Sequence, residues 1–330
     1  MSGAHTGAGV VEKLVGPGSV RAAARGLEGV AVRTPLIPSP WLREELGVEV
    51  RLKCESFQPI GAFKLRGAYT MIARLSEAER ARGVITYSSG NHAQAVAFAA
   101  RAFGIEAVIV MPENAPPIKV RGTKRLGAEV VEEGTTSLAR RERAEAIQAE
   151  RGLTMVPPFD HPDIIAGQGT VGLEILEDWP EVGTIVVPIG GGGLISGIAA
   201  FVKQEHPDVR VVGVEPEGAP AMRRSLDAGE LVTLDRIDSI ADGLVPVRPG
   251  DLTFAHVRSL VDDVVLVDDH AIRAAAARLL VRGKLLVEYS GAATVAALRA
   301  GLALDGPAAA VISGGNIDPS RIPELLEAME

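Results

Sequence analysis

Short apolar runs alternate with segments of helical spacing along most of this chain, and that alternation limits its fold more than any other feature. Val48–Cys54, Val84–Tyr87, Ala107–Met111, Glu129–Glu132, Thr184–Ile189, Val209–Glu215 and Ala308–Ser313 read as strands. Gly67–Arg82 reads as a helix, with Ala68, Met71, Ile72 and Leu75 spaced i, i+3, i+4 and i+7. His92–Phe103, Ile118–Leu126, Ser137–Arg151, Ile164–Leu176, Leu194–Gln204 and His270–Arg282 read the same way. The alternation predicts an α/β protein with open, twisted, mostly parallel sheets, flanking helices and right-handed crossovers. The strands between about residues 50 and 132 would form one small sheet, and the later ones a second. The proline-rich stretch Met155–Pro162 suits a crossover between two lobes, with a ligand site in the cleft between them. Leu231–Val267 is less regular and is expected to pack over one lobe as extended chain.

Composition narrows the function classes. Aromatics are only 4% of a chain that is 47% hydrophobic, so the core should be built from small aliphatic side chains. A net charge of −8 argues against a nucleic-acid partner held by phosphate contacts. The single cysteine, Cys54, excludes a disulfide within the chain and a zinc site of four cysteines or of two cysteines and two histidines. Met1–Gly9 lacks the basic and apolar regions of a secretory signal. No apolar run reaches the length of a membrane span. A cytoplasmic protein without a membrane partner is the expectation.

Four segments carry chemistry. In the first, the apolar run ending at Ile189 enters Gly190, Gly191, Gly192 and Gly193, and a helical segment follows. Backbone without Cβ atoms approaches an anion closely, and a helix N-terminus adds free N–H donors and partial positive charge. The run reads as a phosphate cradle, the plainer alternative being a tight turn in a βα unit. No Lys-Ser/Thr follows, so it is not a P-loop, and no acidic residue is placed for a ribose.

In the second, Lys64 follows a turn and opens a helix beside Phe63 and Leu65. Alone it reads as a solvated surface lysine. Partial desolvation would lower its pKa and free a nucleophilic amine. In the third, Ser88, Ser89, Gly90, Asn91 and His92 join a strand to a helix, which suits either an anion-binding turn or ordinary N-capping. In the fourth, Ser313 and the glycines after it stand at a strand's C-terminal end, the edge where ligands bind open α/β sheets.

Taken in order, Gly61–Gly67 (GAFKLRG), Ser88–Gln94 (SSGNHAQ), Ala166–Thr170 (AGQGT), Gly190–Leu194 (GGGGL), Ile240–Gly243 (IADG) and Ser313–Asn316 (SGGN) resemble the fold type II enzymes that use pyridoxal 5′-phosphate (PLP). The likeness is to the serine/threonine dehydratases (threonine ammonia-lyases) and serine racemases, and it runs from about Thr34 to the C-terminus. It implies a tryptophan synthase β-like fold, with a large PLP-binding domain of residues 1–72 and 159–330 and a small domain of residues 73–158. It also implies a homodimer.

The same resemblance implies roles. Lys64 would be the Schiff-base lysine and general base, and Phe63 would lie against the pyridine ring. Asn91 would bond the 3-hydroxyl, Gly190 to Gly193 would hold the phosphate, and Ser313 would face the ring nitrogen. Ser88, Ser89, Gly90, Asn91 and His92 would receive the substrate carboxylate. A neutral hydroxyl at Ser313 should not keep the ring nitrogen protonated, which favours β-elimination over transamination. The implied reaction converts L-threonine or L-serine to a 2-oxo acid and ammonia. The alternatives are serine racemisation, with Ser89 as second acid, or dehydration of another β-hydroxy amino acid such as 3-hydroxyaspartate or phenylserine.

Three departures stand out. Ala62 replaces the common serine before Phe-Lys, and Tyr289 replaces the common proline after Glu288. Glu215 and Ala219 match a divalent-cation position of cation-activated members. Ala221 stands where its last carboxylate would be, so a Mg2+ site there would be weak. With the chain ending at Glu330, a catabolic form without a C-terminal regulatory domain is expected.

Overall fold

The computed structural model describes residues 14–327 apart from 89, 116 and 136. Ten strands are named among these residues. They are β1 (Leu36–Pro38), β2 (Val50–Cys54), β3 (Val84–Tyr87), β4 (Ala107–Met111), β5 (Glu129–Glu132), β6 (Thr154–Met155), β7 (Thr184–Pro188), β8 (Arg210–Pro216), β9 (Asp263–Val267) and β10 (Ala308–Ile312). They form a six-stranded sheet in the order β1-β2-β10-β7-β8-β9 and a four-stranded sheet in the order β5-β4-β3-β6. Only β1 runs antiparallel to its neighbour.

Every residue of β4, β7 and β10 is buried. That is why these strands read as unbroken apolar runs: a parallel sheet covered on both faces has no polar side to alternate with. The shortage of large side chains is met by alanine. Ala292, Ala293, Ala296 and Ala297 of the helix Tyr289–Arg299 pack in one cluster with Ala310 and Ile312 of β10.

Three expectations need correction. Leu231–Val267 is not merely extended chain: it holds the helix Asp251–Leu260 and contributes β9 to the large sheet beside β8. The helix expected over Gly67–Arg82 is two helices, Lys64–Arg74 and Glu77–Arg82, the second started by Ser76 and Glu79 in a capping box. The strand Val50–Cys54, expected in the small sheet, lies instead in the large one as β2 between β1 and β10, and the two-residue β6, too short to give a periodic signal, is the fourth strand of the small sheet.

One helix, Pro162–Asp178, positions the site. Its glycines let neighbours come close. A Cβ on Gly167 would lie 2.5 Å from the Arg66 carbonyl oxygen, and one on Gly169 would lie 2.7 Å from that of Gly197. The helix is thereby held against both Lys64–Arg74 and Gly193–Glu205. The AGQGT run is thus a packing device: it fixes the lysine helix and the glycine-run helix to one spine.

A buried ionic cluster secures the same spine. The Arg66 guanidinium makes paired bonds to Glu55, both 2.8 Å, and bonds of 2.6 and 2.8 Å to Glu174. Lys53 Nζ donates to Glu174 at 2.6 Å and to the Thr34 carbonyl at 2.6 Å. Burial pushes the Glu55 carboxyl up, but Arg66, Lys53 and Thr34 together outweigh it and hold the carboxyl below its ordinary range. Two cations balance two anions, which is what lets such charges stay buried.

Candidate active site

The loop before Lys64 is laced to the end of β10. Phe63 N–H donates to the Ser313 carbonyl at 3.0 Å, and Gly315 N–H to the Gly61 carbonyl at 2.9 Å. Ala62 and Gly314 form an isolated antiparallel bridge. Gly61 has φ 71°, and a Cβ there would strike the Asn316 amide, so only glycine serves this turn. Lys64 is then the first residue of its helix. Its Nζ donates to the Pro158 carbonyl at 2.7 Å and lies 5.2 Å from the Phe63 ring centre. Burial pulls its pKa from 10.5 down to about 8. The lysine that reads as solvated in the sequence is half-buried, its amine held by the crossover chain.

The serine–asparagine turn joins the same ring of contacts. Asn91 starts the helix Asn91–Phe103. Its Nδ2 donates to Glu288 at 2.7 Å, and its Oδ1 accepts from Asn316 Nδ2 at 2.8 Å. Asn316 Nδ2 also donates to the Ile60 carbonyl at 2.8 Å. Burial, reinforced by Asp242, pushes Glu288 up to about 7. Gly90 N–H donates to Ser88 Oγ at 3.3 Å. Ser89 lies outside the described residues. His92 differs from expectation: its ring is buried and donates to the Val156 carbonyl at 3.0 Å. Burial, then the Lys64 charge, push it down to about 3, so it is a neutral core histidine. Only its backbone faces the turn's start, where the first-turn N–H groups have no partner within the helix.

The four glycines link β7 to the helix Gly193–Glu205. Gly192 sits at φ 93° as the residue before the helix. A Cβ on Gly190 would lie 2.8 Å from the Gly243 carbonyl, and one on Gly191 would overlap the Phe159 ring. Neighbouring atoms already occupy the positions where Cβ atoms would stand, so this run is bare backbone by necessity. The Thr253 hydroxyl anchors it, donating to the Gly191 carbonyl at 2.7 Å. The Ile240–Gly243 run also reaches this region: Gly243 N–H donates to Ser290 Oγ at 2.8 Å, and Lys119 Nζ pairs with Asp242 at 2.5 Å.

A reactive amine, a polar turn, a serine at a strand end and a backbone anion cradle therefore share one region at the C-terminal ends of β10, β7 and β3. These groups suit PLP: a carbonyl-reactive lysine for its aldehyde and bare N–H groups beside a helix N-terminus for its phosphate. A family model described as pyridoxal-phosphate dependent enzyme matches residues 27–314. This chain belongs to that family. The enzyme is 47% identical over 308 residues to an L-threonine ammonia-lyase of Thermotoga maritima, covering 93% of this chain and 77% of that one. It is 41% identical over 303 residues to the catabolic L-threonine dehydratase TdcB of Escherichia coli, covering 91% of this chain and 92% of that one. The structure of maize serine racemase superposes with a TM-score of 0.91 at 39% identity, covering 96% of this chain and 98% of that one. The fold type II architecture expected from the sequence is thus the one observed.

Two of the departures noted in the sequence find their place here. The Tyr289 ring is buried and Arg321 stacks 4.6 Å over it, while its hydroxyl donates to Glu324 at 3.1 Å. It braces the C-terminal helix and does not reach the site. Glu215 accepts the backbone N–H groups of Met222 and Arg223 at 2.9 and 2.8 Å, so its carboxylate caps the helix Ala221–Ala228. Ala219 is buried, and no cluster of three or more acidic, histidine or cysteine ligands occurs among the described residues. Also among these residues, no helix is long and apolar enough to cross a membrane.

What the sequence did not disclose is the supporting cast: Glu288, Asn316, Thr253 and Pro158. Each acts through a partner more than 60 positions away, a distance at which no local pattern survives.

Proposed function

We propose that this enzyme is an ammonia-lyase that dehydrates and deaminates L-threonine or L-serine to a 2-oxo acid. The observation that carries this reading is the Lys64 amine, its pKa pulled down to about 8 by burial and its Nζ held by the Pro158 carbonyl, next to the Phe159 ring that stands against the glycine run. The ammonia-lyase and dehydratase relatives support the choice of reaction.

In this reading Lys64 holds PLP, the glycines 190–193 receive its phosphate, Asn91 bonds its 3-hydroxyl, Phe63 flanks its ring and Ser313 faces its nitrogen. When bound, PLP supplies the electron sink for the pair left at the substrate's Cα. The chain's own groups do the rest. Ser88, Gly90 and the first-turn N–H groups of the Asn91 helix orient the substrate carboxylate, with His92 contributing backbone only. Once the substrate's own amine had taken its place on the cofactor, the freed Lys64 Nζ would take the Cα proton, a task that suits a base whose pKa lies near working pH, and the β-hydroxyl would leave with a proton as water. Ser89 is the residue to test for a second acid in racemisation, since serine racemases are also among the relatives.

The test is direct. The purified enzyme is incubated with L-threonine, L-serine, 3-hydroxyaspartate and phenylserine, and oxo acid, ammonia and the chirality of remaining substrate are followed. Oxo acid from threonine or serine in excess over D-amino acid supports the reading. D-serine as the main product replaces it with racemisation.

Two outcomes follow from the site. Only the neutral amine attacks an aldehyde, so capture of PLP by the cofactor-free protein should quicken as pH rises towards about 8 and level off above it. Stopped-flow absorbance between pH 6 and 10 checks this; a rate still climbing steeply at pH 10 would show an ordinary, solvated lysine. Because Glu215 caps a helix and Ala221 supplies no carboxylate, turnover should be the same in excess chelator as in Mg2+. A chelator-sensitive rate restored by Mg2+ would reinstate the cation site.

We also propose the division into residues 1–72 with 159–330 and residues 73–158. All four strands of the smaller sheet falling within residues 84–155 support it. The homodimer and cytoplasmic setting remain part of this proposal, with sedimentation as the check on the dimer.

A further inference from the structure

Three consecutive residues of the crossover chain after β6 touch both halves of the site. Pro158 accepts from Lys64 Nζ at 2.7 Å. Phe159 stands against the glycine run, its Cβ 3.1 Å from where a Cβ on Gly193 would be. Asp160 accepts from the backbone N–H groups of Asp251, Leu252 and Thr253 at 3.0, 3.0 and 3.1 Å. These are the first three residues of the helix Asp251–Leu260.

That helix has no side chain at its N-cap position, which Gly250 occupies, although Thr253 Oγ accepts the Gly250 N–H at 3.0 Å. A Cβ on Gly250 would overlap the Asp160 carboxylate. Asp160 therefore stands where a local cap would stand, and supplies it from 91 residues away. Thr253 completes the connection. Its N–H is held by Asp160, and its hydroxyl donates to the Gly191 carbonyl at 2.7 Å.

The physical need is plain. Gly190 to Gly193 have no side chains, so nothing within the run restrains it, and glycine loses more conformational freedom on ordering than any other residue. The restraint must come from outside. A carboxylate at a helix N-terminus makes charge-assisted bonds and is favoured by the helix dipole. Both of its oxygens are used on backbone N–H groups.

We propose that Asp160 is a positioning residue for the phosphate cradle, acting through Thr253 on Gly191. The proposal rests on the PLP reading above. It concerns residues that touch neither substrate nor cofactor in that reading.

The experiment compares wild type, Asp160→Asn, Thr253→Val, Thr253→Ser and the double variant Asp160→Asn/Thr253→Val. For each, the cofactor is removed and affinity is measured for PLP and for pyridoxal, the same aldehyde without the phosphate. Asp160→Asn and Thr253→Val should each weaken PLP about tenfold, the scale of a lost charge-assisted bond. Pyridoxal binding should be unchanged. Thr253→Ser, which keeps the hydroxyl, should bind PLP as wild type does. The double variant should be no weaker than the weaker single one, because both changes cut the same connection.

Equal losses for PLP and pyridoxal would show a merely structural residue and overturn the proposal. So would unchanged PLP affinity in Asp160→Asn, or additive losses in the double variant. Should Asp160→Asn fail to fold, the contrast between Thr253→Val and Thr253→Ser still decides whether the hydroxyl anchors the cradle. A wild-type protein that binds no PLP would instead remove the reading beneath the proposal.

Discussion

Lys64→Ala should abolish oxo-acid formation, with a fall of at least about 10^4-fold, because one substitution removes both the covalent attachment and the general base. The geometry explains why no neighbour takes over. Lys53 lies in the buried cluster, with Nζ committed to Glu174 and the Thr34 carbonyl. Lys119 is paired with Asp242. His92 is spent on the Val156 carbonyl and held neutral. The variant should still fold. Lys64 makes a single hydrogen bond through its amine, and its pKa is lower in the folded state than its ordinary 10.5. The folded state therefore disfavours the ammonium below about pH 8, and stability regained on deprotonation appears only as pH rises above that value. Removing the amine relieves this cost at neutral pH. The check is paired: oxo-acid assay and thermal melting on the same preparation. Activity within tenfold of wild type would remove Lys64 from the chemistry.

Gly191→Asp should weaken PLP binding by at least about a thousandfold. A side chain there meets the Phe159 ring, so the loop or the ring must move. Crowding alone costs about 1–3 kcal/mol in packed surroundings. A carboxylate brought within about 4 Å of one phosphate charge adds about 4 kcal/mol at an intermediate dielectric. Repulsion is thus the larger effect, and about 4 kcal/mol is close to a thousandfold. Gly191→Ala separates the two: it crowds without charge and should fall about tenfold to hundredfold. Equilibrium titration of the cofactor-free proteins reads both. Equal affinities for Gly191→Asp and wild type would show that the phosphate is not held by this run.

The parts of this molecule that were legible in its sequence are those whose cause is local. A buried parallel strand is apolar throughout, so β4, β7 and β10 stood out. Glycines between a strand and a helix mark a close approach, and Gly190 to Gly193 make one. The hidden parts have causes that are remote. Nothing near Lys64 reveals that Pro158 will cover it, 94 residues on. Glu288 and Asn316 meet Asn91 only because β10 lies at the middle of its sheet, beside both β2 and β7. The helix Asp251–Leu260 is hard to read locally because the carboxylate that caps it, Asp160, lies 91 residues before it, and Gly250 marks the place left for it. The burial of the His92 ring is hidden from the sequence for a related reason. A polar residue at a helix start suits a binding turn, and only tertiary packing shows that this ring points into the core.

The central claim is that Lys64, and no other lysine, carries the cofactor. Borohydride reduction of the PLP-loaded enzyme, followed by proteolysis and mass mapping, tests it most directly. The account predicts one phosphopyridoxyl group, on Lys64. The label on Lys53, Lys119 or another lysine, or no label after loading with PLP, would contradict it.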